Sequence, residues 1–502
     1  MATAVIAGGS IAGLAGALAL SRLGLSVLVL ERASAPPEGP LDEAIARWER
    51  PTVPQAHHSH TLTSLGVRVL RERAPGLLAE ARAAGAALLD LTDALPATAG
   101  DRTRRPGDED LVALGCRRAC LELLLHRAVR ALPGVTVRHD TAVAALELDR
   151  RTPRVRAVLT TTGERIPADL VLDATGRRAL SRTWLADAGV PIAPDRTSPS
   201  GLTGYTRFYR LASPVLPGPL NRGNAAGDIF GHYAGVLHPG DHHTFSVALA
   251  TLPGDPALRP LRTEAGFTAA ARATPWLAPW LDDDASTPIS GVRAITSPPN
   301  TLRGTAGPGQ PPVAGLFPVG DAACVTNPLF GRGMSLALDH VFRLADLLAE
   351  QPDITLAQRR NAALMTYEVF TPWYEHAAAA DQRRIARWRA AVDDTAPPVP
   401  ADDTAERIAA AARTDGTVWR QVTRMLMSLT PPAESFAGEA FGTRVRLAPA
   451  PARTPVPPDR TTLVHRVAAA EAAARGEAER GSPREAAEEE APREAAAEGA
   501  PV

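Results

Sequence analysis

An α/β fold, an α+β composite of a parallel-sheet dinucleotide-binding domain, an inserted sheet-containing domain and C-terminal helices, is predicted for this chain. Three observations predict it. The first 31 residues carry a strand, a glycine-rich turn, a helix and a second strand, Thr3 to Glu31. A further strand and glycine turn, ending in Gly320-Asp321, recurs roughly 300 residues later. Between them, aromatic-rich strands with alternating polarity replace the strand–helix rhythm.

Thr3 to Ala7 reads as a short buried strand, followed by an apolar helix from about Ile11 to Leu23. Gly24 ends that helix, and Ser26 to Glu31 reads as the next strand. A Pro-rich connection from Ala35 to Pro54 leads into a helical stretch from about Thr61 to Ala84. Arg117 to Ala131 reads as helix, and Val135 to Val137, Ala142 to Leu148, Arg154 to Thr162 and Asp169 to Asp173 as strands. The pattern changes from Leu202 to Leu252, with strands such as Tyr205 to Tyr209 and Thr244 to Ala250. Gly315 to Val319 is the returning strand. The helix after Gly333 places Met334, Ala337, Leu338, Val341, Leu344, Ala345 and Leu348 on one face. Trp276 and Trp280, four apart, read as one helix face, and His242-His243 as a solvated turn. From Pro451 the chain is Ala, Glu, Arg and Pro, ending in runs such as Glu488-Glu489-Glu490, and is expected to stay disordered for want of an apolar face. The expected division is 1–190 for the first part of the dinucleotide domain, 191–290 for the substrate domain, 291–350 for the return segment, 351–450 for a helical region and 451–502 for the tail.

Composition narrows the function classes. The chain has 502 residues, so two or three domains are expected, and its net charge of -1 gives no global attraction to nucleic acid or anionic membrane. All 54 basic residues are arginine; there is no lysine. Three cysteines, Cys116, Cys120 and Cys324, suit small core positions in a reducing compartment rather than a disulfide framework. The apolar amino terminus has no basic segment before it and is broken by Ser21, Arg22 and Gly24, short of the roughly 18 apolar residues that span a bilayer. A cytoplasmic protein is expected.

The amino-terminal turn carries specific chemistry. In Gly8-Gly9-Ser10-Ile11-Ala12-Gly13, Gly8 permits a tight turn and the small Ser10 lets main chain approach a pyrophosphate. Gly13 lets helix and strand pack closely. The helix start supplies N–H donors and positive dipole to phosphates. Glu31, with Arg32 after it, stands where an adenosine ribose would be held.

The second segment runs Val319-Gly320-Asp321-Ala322-Ala323-Cys324-Val325-Thr326-Asn327-Pro328-Leu329-Phe330-Gly331-Arg332-Gly333-Met334-Ser335. It resembles the ribityl-binding motif of the para-hydroxybenzoate-hydroxylase-like flavoprotein superfamily. That resemblance implies a Rossmann-like domain holding noncovalent FAD. Asp321 would bind the ribityl chain, Pro328 would lie beside the isoalloxazine, and Gly331, Gly333 and Met334 would bring amides to its N1–C2=O edge. Arg118-Ala119-Cys120-Leu121-Glu122 resembles the superfamily's Arg-x-x-Leu helix, with Arg118 at the cofactor. Asp169-Leu170-Val171-Leu172-Asp173-Ala174-Thr175-Gly176 resembles its returning strand and turn, adding Thr175 and Gly176. Pro54-Gln55-Ala56-His57-His58-Ser59-His60 resembles a segment of one bacterial branch that includes polyene epoxidases of polyether biosynthesis, though that branch has arginine where this chain has His57.

The resemblance implies a monooxygenase that uses a flavin C4a-hydroperoxide to hydroxylate or epoxidise an apolar small molecule, in secondary metabolism. NADPH or NADH would supply electrons, directly or through a partner flavin reductase, since no second glycine fingerprint follows a strand. The flavin itself carries such chemistry, and His58, His60, Arg207 and Tyr209 are the candidates beside it. His57, His58 and His60 lack an evident carboxylate or cysteine partner, so no metal is expected. A flavin-dependent reductase or dehydrogenase of a lipid-like substrate shares both motifs, and a redox-sensing flavin module is the non-enzyme alternative. Flavin-dependent halogenases also resemble the chain in both motifs, but use a lysine and a Trp-x-Trp-x-Ile-Pro segment absent here.

Overall fold

A computed structural model describes residues 2–149, 151–396, 403–450 and 455–481. The chain opens with β1 (Thr3–Ala7), helix α1 (Ile11–Ser21) and β2 (Ser26–Leu30). Helix α2 (Arg118–Arg130) leads to β3 (Val135–Arg138), and β4 (Leu170–Asp173) follows. The chain then leaves for a second sheet: β5 (Thr203–Leu211), β6 (Ala226–Ile229), β7 (Ala234–Pro239) and β8 (Thr244–Thr251). Helix α3 (Glu264–Ala273) and the short strands β9 (Ser286–Pro288) and β10 (Arg293–Thr296) complete that layer. The return is made by β11 (Leu316–Pro318), with helices α4 (Gly333–Glu350), α5 (Leu356–Val392) and α6 (Arg460–Gly481) beyond it.

The first sheet is parallel, in the order β11-β4-β1-β2-β3. Its inner strands β1, β2 and β4 are largely apolar on both sides, as a sheet covered on both faces requires. Ala4, Ile6, Val27 and Val29 pack on one face with α1 and α4 (Ile11, Leu14, Val341, Leu344). Val5, Ala7, Leu30 and Val171 pack on the other with Val155 and Trp184. The second sheet is antiparallel, β6-β7-β8-β5-β9, with β10 also pairing β5. It extends to Thr296, six residues past the boundary expected at 290.

Three expectations are corrected. The single helix expected over Thr61 to Ala84 is two, Ser64–Arg73 and Pro75–Ala83. Pro75 disfavours the helical conformation at the residue before it, and Ala74 sits at φ -149. Trp276 and Trp280 share no helix: Trp276 has φ 64, and Trp280 lies in the short turn Ala278–Leu281. The tail does not stay unfolded throughout. Helix α6 lays Leu463 and Val467, both fully buried, into the core of the second sheet beside Phe267, Ala270 and Ala271. Arg460 anchors its start with two hydrogen bonds to the Asp255 carboxylate, 2.7 and 2.8 Å. Glu488-Glu489-Glu490 lie outside the described residues.

Candidate functional site

The turn from β1 to α1 forms the floor of a cleft of about 540 Å³. Gly8 has φ +111, and a Cβ there would stand 2.4 Å from the Ala174 carbonyl oxygen. At Gly13 a Cβ would stand 1.8 Å from the Gly8 carbonyl oxygen, so only hydrogen fits where helix crosses strand. Ser10 is extended and begins α1, whose first turn carries no acid to compete for its N–H donors. Arg118, from the start of α2, donates from Nη2 to Ser10 Oγ at 3.0 Å. The buried Glu31 accepts from the Gly9 N–H at 2.6 Å and the Ala33 N–H at 2.8 Å.

The end of β4 forms the opposite wall. Asp173 accepts from the Thr175 N–H and hydroxyl and from the Ser181 N–H, at 3.0, 2.6 and 2.7 Å. Those three bonds fix the turn that presents Thr175 and Gly176 to the cleft. Arg177 follows, donating from Nε and an Nη to the Gln55 carboxamide oxygen at 2.8 and 3.0 Å. Its Nε lies 3.8 Å from Asp321 Oδ2. Burial pushes the Asp321 carboxyl above its ordinary range, opposed by Arg177, Arg118 and Arg303.

The cleft gathers both sequence segments. Gly8, Ser10, Ile11, Ala12, Glu31, Arg32, Arg118, Thr175, Gly176, Asp321, Gly333 and Met334 line it. Gly9 and Gly13 stand behind the lining as packing positions, and Gly320 lies under Ala12, where a Cβ would be 2.8 Å from the alanine methyl. Pro328 opens the turn Pro328–Phe330, and Gly331 faces Thr61; both lie beyond this lining. Gln55, from the Pro54–His60 segment, also lines the cleft, as do Arg177, Arg178 and Trp184, which the sequence did not single out. The one available signal was an arginine pair directly after Asp173-Ala174-Thr175-Gly176.

The reaction-side candidates divide between two places. The segment from His57 to His60 lies against one face of the second sheet. His58 Nδ1 is 3.1 Å from Thr206 Oγ1, and Ser59 Oγ is 3.0 Å from His238 Nδ1 and 2.8 Å from Ser246 Oγ. His60 Nδ1 is 2.8 Å from the His58 carbonyl oxygen. Burial holds His58 and His238 down to about 4 and His60 to about 3, so all three are neutral at pH 7. Arg207 and Tyr209 are corrected: they point from the opposite face. Arg207 pairs with Glu264 of α3 at 2.6 Å, and Tyr209 stacks on Phe245 in the core beneath that helix. Strand alternation sends neighbours to opposite faces, so Thr206, between them, is the residue that meets His58. The turn at His242-His243 is open to solvent as expected, with His242 half-buried and His243 exposed, while Asp241 before it is fully buried and bound by Arg117 Nε and Nη2, at 3.0 and 2.6 Å to Oδ2.

The cleft suits a dinucleotide. Four arginines line it, Arg32, Arg118, Arg177 and Arg178. Burial lowers Arg32 and Arg177, and Arg178 lowers Arg32 further, so an anion between them would relieve both effects. A Cβ added at Gly176 or at Gly333 would meet nothing within 4 Å, so both positions border open space.

No family model matches the chain. Protein Rv3254 of Mycobacterium tuberculosis is 30% identical over 390 residues, 73% of this chain and 78% of that one. The chain belongs to the family of that protein. Menaquinone reductase of Mycolicibacterium smegmatis is 26% identical over 231 residues, 44% of this chain and 51% of that enzyme. Among solved structures, p-nitrophenol 4-monooxygenase PnpA of Pseudomonas putida superposes with a TM-score of 0.58 at 16% identity, covering 88% of this chain and all of that one. The flavin-dependent brominase Bmp2 superposes with a TM-score of 0.54 at 15% identity, covering 88% of this chain and 98% of that one. These likenesses show that the chain shares the fold of those two enzymes.

Proposed function

We propose that this family member holds FAD noncovalently in the cleft and inserts one atom of dioxygen into an apolar small molecule, by hydroxylation or epoxidation. The observation that carries the reading is one cleft lined by the β1–α1 turn, the β4 turn and Asp321, Gly333 and Met334. Bound FAD supplies the two-electron redox chemistry and the activation of dioxygen. The chain's own residues then have distinct tasks. Arg118 and the α1 N–H groups hold the diphosphate, Glu31 the ribose and Asp321 the ribityl chain. The neutral His58, His60 and His238 keep the contact between the His57–His60 segment and the second sheet polar but uncharged, and are assigned to the substrate side on that ground.

Electrons come from NADPH or NADH, directly or through a partner reductase, and the setting is cytoplasmic secondary metabolism. Among the described residues no helix is long and apolar enough to cross a membrane. The second reading, reduction of a lipid-like substrate, is favoured by one observation, the 26% likeness to a menaquinone reductase. Turnover of candidate substrates under ¹⁸O₂ and under argon separates the two. Product carrying one ¹⁸O, and none formed under argon, is the expected result; equal turnover under argon establishes the reductase instead.

A further inference from the structure

Arg332 differs from every other buried arginine among the described residues. It directly precedes α4, between Gly331 and Gly333, and the next two residues, Gly333 and Met334, line the cleft. Its side chain turns inward and is 1% exposed. The guanidinium carbon lies 4.6 Å from the Phe330 ring centroid and 4.8 Å from that of Trp373. Nε, Nη1 and Nη2 all lack a hydrogen-bond partner, a condition no other buried arginine shares among the described residues.

The carboxylate that acts on it, Asp381, is already committed. Asp381 Oδ1 accepts from Asn327 Nδ2 at 2.7 Å and Arg384 Nη2 at 3.0 Å, and Oδ2 accepts from Asn300 Nδ2 at 2.7 Å. Burial lowers the Arg332 pKa to about 9, which still leaves the group charged at neutral pH. A dry, unpaired cation is costly to keep, and two aromatic faces return only part of that cost. The same rings wall it off from any substrate anion, so its effect must act through space.

We propose that Arg332 is held unpaired so that its charge balances the negative charge gained by the isoalloxazine of bound FAD on reduction, raising the flavin's potential. The proposal rests on the FAD reading above. Two electrons from a reduced nicotinamide or reductase, with one proton taken up at N5, leave one negative charge on the ring's N1–C2=O edge. That edge is the one the Gly333 and Met334 amides would meet. The guanidinium is one arginine side chain away from those amides, and over a separation on the order of 10 Å a unit charge at an effective dielectric of about 20 changes an equilibrium about tenfold. Arg332 is thus a tuning residue that acts through the cofactor without touching substrate.

The experiment uses the FAD-loaded protein with Arg332→Met, which keeps an unbranched stem between the two rings, and Arg332→Lys, which keeps the charge. The readouts are the midpoint potential against reference dyes and the dissociation constant for sulfite, which adds at N5 and puts the same charge on the ring. The methionine variant is expected to shift the potential downward and weaken sulfite binding about tenfold, while the lysine variant stays near wild type. Wild-type values in the methionine variant overturn the proposal, as does a lysine variant impaired equally, which assigns the effect to packing. Should R332M hold no flavin, R332Q is read in the same way; loss of flavin from both overturns the proposal in favour of a binding role. Wild-type protein that takes up no FAD refutes the cofactor reading itself, a result distinct from each of these.

Discussion

The Glu31 carboxylate accepts a hydrogen bond from the Gly9 N–H at 2.6 Å, tying the end of β2 to the glycine turn that follows β1. One acid thereby holds the turn in shape and presents its remaining lone pairs to the cleft. Glu31→Ala should leave the buried Gly9 donor unpaired and cost about 1–3 kcal/mol of stability. Denaturant midpoints and the flavin-to-protein absorbance ratio should both fall. Unchanged values would refute the double role.

Gly13→Val and Asp321→Ala should each reduce FAD content sharply by different routes. A Cβ at position 13 would stand 1.8 Å from the Gly8 carbonyl oxygen, so the turn must open. Asp321→Ala leaves the fold intact and removes a charge-assisted bond of about 1.5–3 kcal/mol to the ribityl chain. The valine variant should lose thermal stability as apoprotein, while the alanine variant should not. Full flavin content in D321A would relocate the cofactor.

Stability should fall on acidification from pH 6.5. Burial is the main cause holding His58 and His238 to about 4 and His60 to about 3, against 6.5 for the free group. Below pH 6.5 the unfolded chain takes up protons that the folded chain refuses, so the folded state binds fewer. Stability is full above 6.5 and declines as pH falls toward 4, by about 1.4 kcal/mol per pH unit for each such histidine. His60→Asn should flatten the slope between pH 6.5 and 4.5. A denaturation midpoint constant over that range would contradict the buried neutral state.

Helix α6 makes the carboxy-terminal segment part of the second sheet's core. Leu463→Ala should cost about 2–5 kcal/mol, and truncation after residue 450 more, because Phe267 loses cover. Both should lower the melting temperature and leave the Arg118 and Asp321 walls in place. A truncated protein melting like the full chain would show that α6 adds nothing.

Bromide should not enter the product. Bmp2 shares this fold, but halogenases that resemble the chain steer hypohalous acid with a lysine ammonium, and the chain has none. An arginine guanidinium stays protonated and offers no amine nucleophile. Turnover with reduced FAD, dioxygen and excess bromide, followed by mass spectrometry, should show a gain of one oxygen. A brominated product would overturn the assignment.

The parts of the molecule legible in the sequence are those where main chain must pass close to something. Gly8 and Gly13 could be placed because a Cβ at either would strike backbone, and β1 spans the residues expected of it, Thr3–Ala7. The faces of the second sheet were not legible. Alternation separates Thr206 from Arg207 and Tyr209, but only packing against α3 decides which side turns away from the first domain. The helix α6 was hidden for a related reason. Its apolar content is concentrated in Leu463 and Val467 among alanines and charges, and their value depends on the groove that receives them. Arg177 went unnoticed because its role comes from Gln55 and Asp321, each far from it in sequence.

The return of β11 to the edge of the first sheet also sets an order of events during synthesis. Strands β1 to β4 can pair once residue 173 has emerged, yet the wall carrying Asp321 and Met334 is made only after the entire second sheet. At ribosomal rates of about 5–20 residues per second, the turn at Gly8 waits roughly 15 to 60 seconds for its partner. From the emergence of residue 173 until β11 follows, roughly 7 to 29 seconds at the same rates, β4 presents an open, apolar edge. The growing chain therefore completes its cleft late, and the nascent polypeptide is most exposed to mispairing while the second sheet is being made.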